Sequence, residues 1–409
     1  MAATDVLIVG AGAAGLAAAR ALTRGGLHVL ILEARHRIGG RIHTLHDPLS
    51  PVPIELGAEF IHGKPPEIWS YVESGRFPAV EITAPFLHVR DGHVEEGDWE
   101  ATDRILSGMA DAPEQSFRDY VAGVDAPPEA CEAAVGYVEG FNAARQELIS
   151  IRSLAAAPED DRSFRPVRGY SSLIELLWRE LDSTRISLAT PISAVAWRRD
   201  SVRITASTGQ VFEAPRAIVT APLGVLQSGA IRFDPEPAIL RDACRGLVMG
   251  HAARLVLRFR RPVWEDRDEF RDAGFLLSGG AFPPTWWTSL PTRAPVITAW
   301  AGGPKAETAP ANVEDWIGPA LQSLESILGS DVRDELESWD AHNWSTDPYS
   351  LGAYSYVRTG GMPAQEAFGD PVENTLYFAG EAVATGGDIG TVHAALASGA
   401  RAARQILGR

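Results

Sequence analysis

Two hydrophobic patterns alternate along the chain, and they predict two kinds of sheet. Asp5–Val9 is a short, almost wholly apolar run, the pattern of a parallel strand buried on both faces. It leads into an alanine-rich segment, Ala13 to about Arg24, that stops at Gly25-Gly26 and predicts a helix, and His28–Leu32 predicts a second strand. Residues 1 to about 63 therefore read as a βαβ unit. From Pro65 to about Ala157 the pattern is mostly helical, with a hairpin predicted at Phe86–Val94 turning on Asp91-Gly92. The charged stretch Pro158–Pro166, with proline at each end, reads as a connection between two domains. A helix follows at Ser171–Leu181. Then come Ile186–Leu188, Ile192–Arg198, Ser201–Ser207, Val211–Ala214 and Ala217–Thr220, whose alternation predicts a sheet with one face exposed. Arg254–Phe259 and Val296–Trp300 read as further strands and Asn312–Leu328 as a helix. The chain closes on a strand at Leu376–Ala379, a glycine-rich turn and a helix from about Val392 to Leu407.

The first strand-to-helix turn carries chemistry. Gly10, Gly12 and Gly15 have the GxGxxG spacing: the first permits a tight turn, the second lets backbone approach a pyrophosphate, and the third lets the helix lie on the strand. The helix N-terminus would face the phosphates with free amides and a positive dipole end. Glu33, ending the second strand, is placed to accept both ribose hydroxyls of an adenosine. These residues predict a dinucleotide site.

Composition narrows the rest. A chain of 409 residues can bury a large core, and no apolar run reaches the roughly 18 residues of a membrane span. With no charged-then-apolar leader visible, a cytoplasmic protein is expected. Cys131 and Cys244 are far apart and outside any CxxC, which fits a reducing compartment and two buried spectators. The net charge of −16 argues against nucleic acid or an anionic membrane as partner. Scattered histidines without HExxH predict no metal site, and no GxSxG elbow points to a serine hydrolase.

Four blocks resemble the flavin amine oxidases, the superfamily of monoamine oxidases, polyamine oxidases and histone demethylases. They are the N-terminal βαβ through Gly39-Gly40-Arg41; Glu55–Gly63; Ile218–Leu226; and Trp344–Tyr354 together with Phe378–Gly399. The resemblance implies an α/β fold in which a Rossmann-like FAD-binding domain (1–63, 165–245 and 340–409) interleaves with a mixed α+β substrate domain (64–164 and 246–339). It implies FAD held by Gly10, Gly12, Ala14, Gly15, Glu33, Ala34, Arg35, Gly40, Arg41, Gly57, Ala58, Glu59, Ile192, Gly380, Glu381 and Val392, with Arg41 reaching phosphate and the Val392 amide facing the flavin. It also implies hydride removal from the carbon beside an amine, with molecular oxygen as the acceptor. Trp344 and Tyr354 fall where the family sets aromatics against the flavin. His62 falls at a position facing substrate nitrogen, although a histidine there reads equally well as a satisfied polar group in a turn. Glu59 could contact a cationic substrate.

Three positions depart from the family. Ala353 stands where monoamine oxidases attach FAD through cysteine, so the cofactor is expected to be noncovalent. Thr391 replaces the second aromatic of a two-ring amine cage. Arg254 replaces a lysine that holds a water at flavin N5, and arginine is larger, planar and permanently charged. These departures keep two other readings open: a flavin desaturase, isomerase or dehydrogenase acting on a non-amine, and a flavoprotein that binds without turnover.

Overall fold

Side chains of Val6–Val9 alternate in direction, and both sets are buried: Val6 and Ile8 join one core cluster, Leu7 and Val9 another. Only a strand covered on both faces needs such a run. The computed structural model, which describes all residues except 1–3, 91, 96–98, 158–159, 161, 182–185, 279 and 281, sets this strand at the centre of a five-stranded parallel sheet. Its order is Ile186–Ser187, Val29–Leu32, Val6–Val9, Arg216–Val219, Leu376–Phe378. The Ala13–Arg24 helix lies against the C-terminal helix, Val392–Leu407, at a glycine contact: a Cβ on Gly399 would stand 2.1 Å from the Ala14 carbonyl oxygen.

The expected single sheet between residues 186 and 220 is two. Ile186–Ser187 and Arg216–Val219 join the parallel sheet, whereas Ile192–Arg198, Ser201–Ala206 and Val211–Ala214 form an antiparallel meander extended by Arg232–Asp234. Alternation assigns a strand's faces but not its neighbours. The connection expected at Pro158–Pro166 is likewise corrected, because Ser163–Pro166 is a strand between Ile61–His62 and Ala79–Glu81. Phe164, buried there, supplies the apolar anchor that the flanking charges disguised. The hairpin forms from Phe86–Arg90 and His93–Val94, though Asp91 of its turn lies outside the described residues. Cys131 and Cys244 are free, and half-buried rather than buried.

A seven-stranded sheet makes the other half. Its order is Leu336–Asn343, Ala252–Phe259, Val296–Gly302, Thr285–Thr288, Phe275–Leu277, then the hairpin. Ala253, Leu255, Leu276, Trp286, Ala299 and Ala301 pack with the Ile317–Leu328 helix in one core cluster. Period-two alternation therefore turns Arg254, Phe275, Trp287 and Trp300 to the opposite face. That face looks across a cavity toward the helix Pro128–Phe141, which buries Ala134 and Val138 on its far side.

Candidate active site

A continuous cavity of about 2300 Å³ runs from the first glycine turn to that aromatic sheet face. Every expected site residue except Gly15 lines it. Gly15 sits underneath, where a Cβ would stand 2.0 Å from the Gly10 carbonyl oxygen, so its role is to bring helix onto strand. Gly10 has φ +104°, a conformation that disfavours other residues. Gly12 is different: its φ of −77° suits any residue, and nothing lies within 4 Å of an added Cβ. It leaves open the space in front of the helix N-terminus.

The Glu33 carboxylate is buried and already engaged, accepting the Ala11 N–H at 2.7 Å and the Arg35 N–H at 2.8 Å. Burial raises its pKa, opposed by those two amides. Oxygen lone pairs beyond these bonds remain for a ribose. The backbone of Glu33 and Arg35 in turn accepts the Thr190 and Ala189 N–H groups, drawing Ile192 to the same rim. The Arg35 guanidinium forms a bidentate pair with Asp347 (2.8 and 2.7 Å) and bonds Ser350, so its charge is matched by protein. Arg41 donates to the Ala353 carbonyl and to Glu381, both at 2.8 Å, while the other Glu381 oxygen accepts the Ser355 N–H and hydroxyl. Ala58 donates its N–H to the Arg41 carbonyl, and a Cβ on Gly57 would stand 1.9 Å from that same oxygen. Gly40 crosses above Gly12 with φ +59°, Ala14 and Ala34 add small side chains to the lining, and Gly380 borders it.

Opposite the cradle, Thr391 caps the C-terminal helix by accepting the Ala394 N–H, and Val392 is the first helical residue. Its neighbour Gly390 approaches the Tyr354 ring, 3.2 Å from a built Cβ. Thr391 thus stands beside Tyr354 but contributes a cap instead of a ring. Tyr354 donates its hydroxyl to the Phe141 carbonyl at 2.5 Å and lies nearly parallel to Trp300, with centroids 6.4 Å apart. Trp344 is buried and donates to the Leu56 carbonyl at 2.8 Å.

Arg254 is buried in a network that the sequence did not foretell. It donates to the Gly57 carbonyl at 2.9 Å and pairs with Glu59, whose carboxylate also accepts from Arg165 (2.8 Å) and from Trp287 (3.0 Å). Burial alone would push the Glu59 carboxyl up, but the two arginines hold it below its usual range. Glu59 is therefore engaged by protein groups from three directions. The Arg254 Nε is buried without a protein partner. His62 contacts Ser163 Oγ at 3.3 Å and meets the Phe141 ring edge-on at 5.5 Å; burial, with a contribution from His393, lowers its pKa to about 4, so it is neutral near pH 7.

The chain matches the model of the flavin containing amine oxidoreductases over residues 13–127 and 108–407. It belongs to that family. Polyamine oxidase 4 of Oryza sativa subsp. japonica is 28% identical over 98% of this chain and 88% of its own length. Lysine-specific histone demethylase 1 homolog 3 of Arabidopsis thaliana is 27% identical over 98% of this chain, which spans 30% of that longer protein. A putrescine oxidase solved with putrescine superposes with a TM-score of 0.84 at 21% identity, covering both chains fully. Cyclohexylamine oxidase from Brevibacterium oxydans does so with 0.84 at 19%, covering 100% of this chain and 99% of its own. At these identities the superpositions speak for the fold.

The cofactor of this flavin containing amine oxidoreductase is FAD, and the residues present fit it. Open space at Gly12, free amides opening the Ala13–Arg24 helix, and Glu33 beyond them suit the dinucleotide, and the orphaned Arg254 Nε at the far end awaits an acceptor. Sequence reasoning missed Asp347, Arg165, Trp287, Trp300 and Phe141. For Trp287 and Trp300 a signal existed, since each flanks core residues at period two.

Proposed function

We propose that this protein oxidises an amine at its C–N bond, with noncovalently held FAD accepting the hydride and dioxygen the final acceptor, to give an imine that hydrolyses to a carbonyl compound and ammonia or amine, and hydrogen peroxide. The observation that carries this reading is the continuity of the cavity: a dinucleotide cradle opens directly into a chamber lined by Phe60, Trp287, Trp300 and Tyr354. The surrounding aromatic groups exclude water and orient a C–H bond. His62, kept neutral, can accept a hydrogen bond from an amine without adding charge. Val392 and its helix N-terminus favour the negative charge that reduction places on a flavin. Ala353 offers no nucleophile for covalent attachment, which supports a noncovalent cofactor.

The proposed division into an FAD-binding part (1–63, 165–245, 340–409) and a substrate part (64–164, 246–339) is supported by strand membership. All five parallel strands fall in the first set. The edge strand Leu336–Asn343 and the small sheet around Ser163–Pro166 straddle the boundaries. Anaerobic mixing with a panel of primary amines and polyamines tests the activity: loss of the oxidised flavin absorbance is expected, followed by peroxide on admitting air. A flavin that stays oxidised with every amine would reject the reading, and reduction without peroxide would reject oxygen as acceptor.

A further inference from the structure

The chamber beyond the cradle has two unlike walls. One is the sheet face bearing Phe275, Trp287 and Trp300, where Phe275 and Trp287 are cross-strand partners. The other is the cavity face of the Pro128–Phe141 helix. Tyr137 and Phe141 stack there in parallel, centroids 5.4 Å apart and planes 7° apart, yet each keeps 51% of its surface exposed. A half-bare stacked pair is an unusual way to finish a helix face that lines a cavity, because each ring leaves apolar area in water.

The same face carries Gly136 and Gly140. Neither has a positive φ, and nothing lies within 4 Å of a Cβ built on either. A glycine inside a helix weakens it relative to alanine, so neither backbone conformation nor crowding accounts for the pair. What they provide is room beside the rings. The helix end is also held in place, since Trp300 donates to the Gly140 carbonyl at 3.0 Å and Tyr354 to the Phe141 carbonyl. Platform and gap therefore keep a set distance from the aromatic sheet face.

We infer that the amine's substituent is apolar and ring-sized, seated between the Tyr137–Phe141 platform and the sheet aromatics in the space left by Gly136 and Gly140. The inference rests on the amine-oxidation reading and names its substrate class: cycloalkyl and arylalkyl amines ahead of aliphatic diamines. A second ammonium a few bonds from the first would meet ring faces, whose attraction for a cation returns only part of the hydration lost there. Glu59 is taken by Arg254, Arg165 and Trp287, and Glu139 accepts the Gln146 N–H. Glu132 lies about 13 Å along the helix from Phe141 but one turn, about 6 Å, from Gly136, so it and Asp103 are the carboxylates that would favour a diamine instead. Burial, together with the Asp103 charge, raises the Tyr137 hydroxyl's pKa, and Asp103 lines the same cavity.

The test compares benzylamine, cyclohexylamine, ethylamine, putrescine and spermidine as reductants of the FAD-loaded protein, without oxygen and over a concentration series. Half-saturation is expected at least about tenfold lower for the two ring amines than for the diamines. Gly136→Leu should raise it about tenfold or more for the ring amines, leaving ethylamine within about twofold and flavin content unchanged. Tyr137→Ala should weaken the ring amines without filling the gap. Diamines saturating at lower concentration, with the advantage lost in Asp103→Asn, would overturn the inference while leaving amine oxidation intact. So would equal effects of Gly136→Leu on every amine. Reduction by no amine at all would instead overturn the reading on which it rests.

Discussion

Two glycines one helical turn apart make opposite predictions. A side chain on Gly12 meets nothing in the protein, so Gly12→Val should fold with a near-native unfolding midpoint yet purify colourless, its branches standing where a pyrophosphate would lie. Gly15→Val should fail earlier, since its Cβ would collide with the Gly10 carbonyl and part helix from strand. Flavin content and thermal unfolding, measured on both, separate the two roles. Glu59 offers a second test at this scale. Removing one partner of a buried ion pair typically costs about 3–5 kcal/mol, and here one carboxylate serves two guanidiniums. Glu59→Gln should therefore lower unfolding free energy by roughly that amount in urea titrations, and a loss below about 1 kcal/mol would mean water has already screened the cluster. Arg254 is fixed by the same carboxylate and by the Gly57 carbonyl, leaving little freedom to organise a small water site. Reoxidation of the reduced protein by oxygen is accordingly expected to be slow and to quicken in Arg254→Lys. Stopped-flow mixing with aerated buffer measures it, and equal rates would remove Arg254 from oxygen chemistry.

At the scale of elements, the C-terminal helix is a test of what Thr391 does. If its hydroxyl only caps the helix, Thr391→Ala should lose about 1 kcal/mol while Thr391→Ser keeps it, and substrate saturation should move in neither. A shift in saturation for both variants would put the side chain against substrate. The helices Ala13–Arg24 and Val392–Leu407 were legible in the sequence, because alanine-rich composition and the glycines that bound them agree locally, whereas the N-cap role of Thr391 emerged only in the structure. The strand at Ser163–Pro166 was not, since its partners lie at residues 61 and 79 and its one apolar anchor, Phe164, follows directly on a charged run. The candidate site divides the same way. Gly10, Gly12, Gly15 and Glu33 sit within one contiguous motif. Arg165 and Asp347 reach Glu59 and Arg35 across separations of 106 and 312 residues, and no local spacing encodes such a meeting. Trp287 and Trp300 were within reach, as tryptophans placed opposite core-facing neighbours on adjacent strands.

Across the whole molecule, acid should be destabilising. His43, His62 and His88 are each pushed by burial to about 4, against 6.5 when free, so between those values the unfolded chain takes up protons that the folded one refuses. Glu55, raised by burial to about 7, acts in the opposite sense, with Glu33, Glu139 and Asp340 raised less, while His251 is lowered with the other histidines; the large shifts in this range are three histidines against one carboxyl. The unfolding midpoint is expected to fall as pH is lowered from 6.5 to 4.5, and to fall less in His43→Gln; a level profile would mean that the three rings are hydrated in solution. The parallel sheet holds one further consequence. Its central strand begins at Val6 and its edge strand at Leu376, while Arg41 closes on Glu381 across 340 residues of chain. A nascent polypeptide still on the ribosome, with its glycine turn already emerged, has neither the edge strand nor the closing helix against which that turn is set. Flavin loading is therefore expected only once the edge strand and closing helix have emerged, and an arrested translation product that stops before residue 376 should leave the ribosome colourless however much FAD surrounds it.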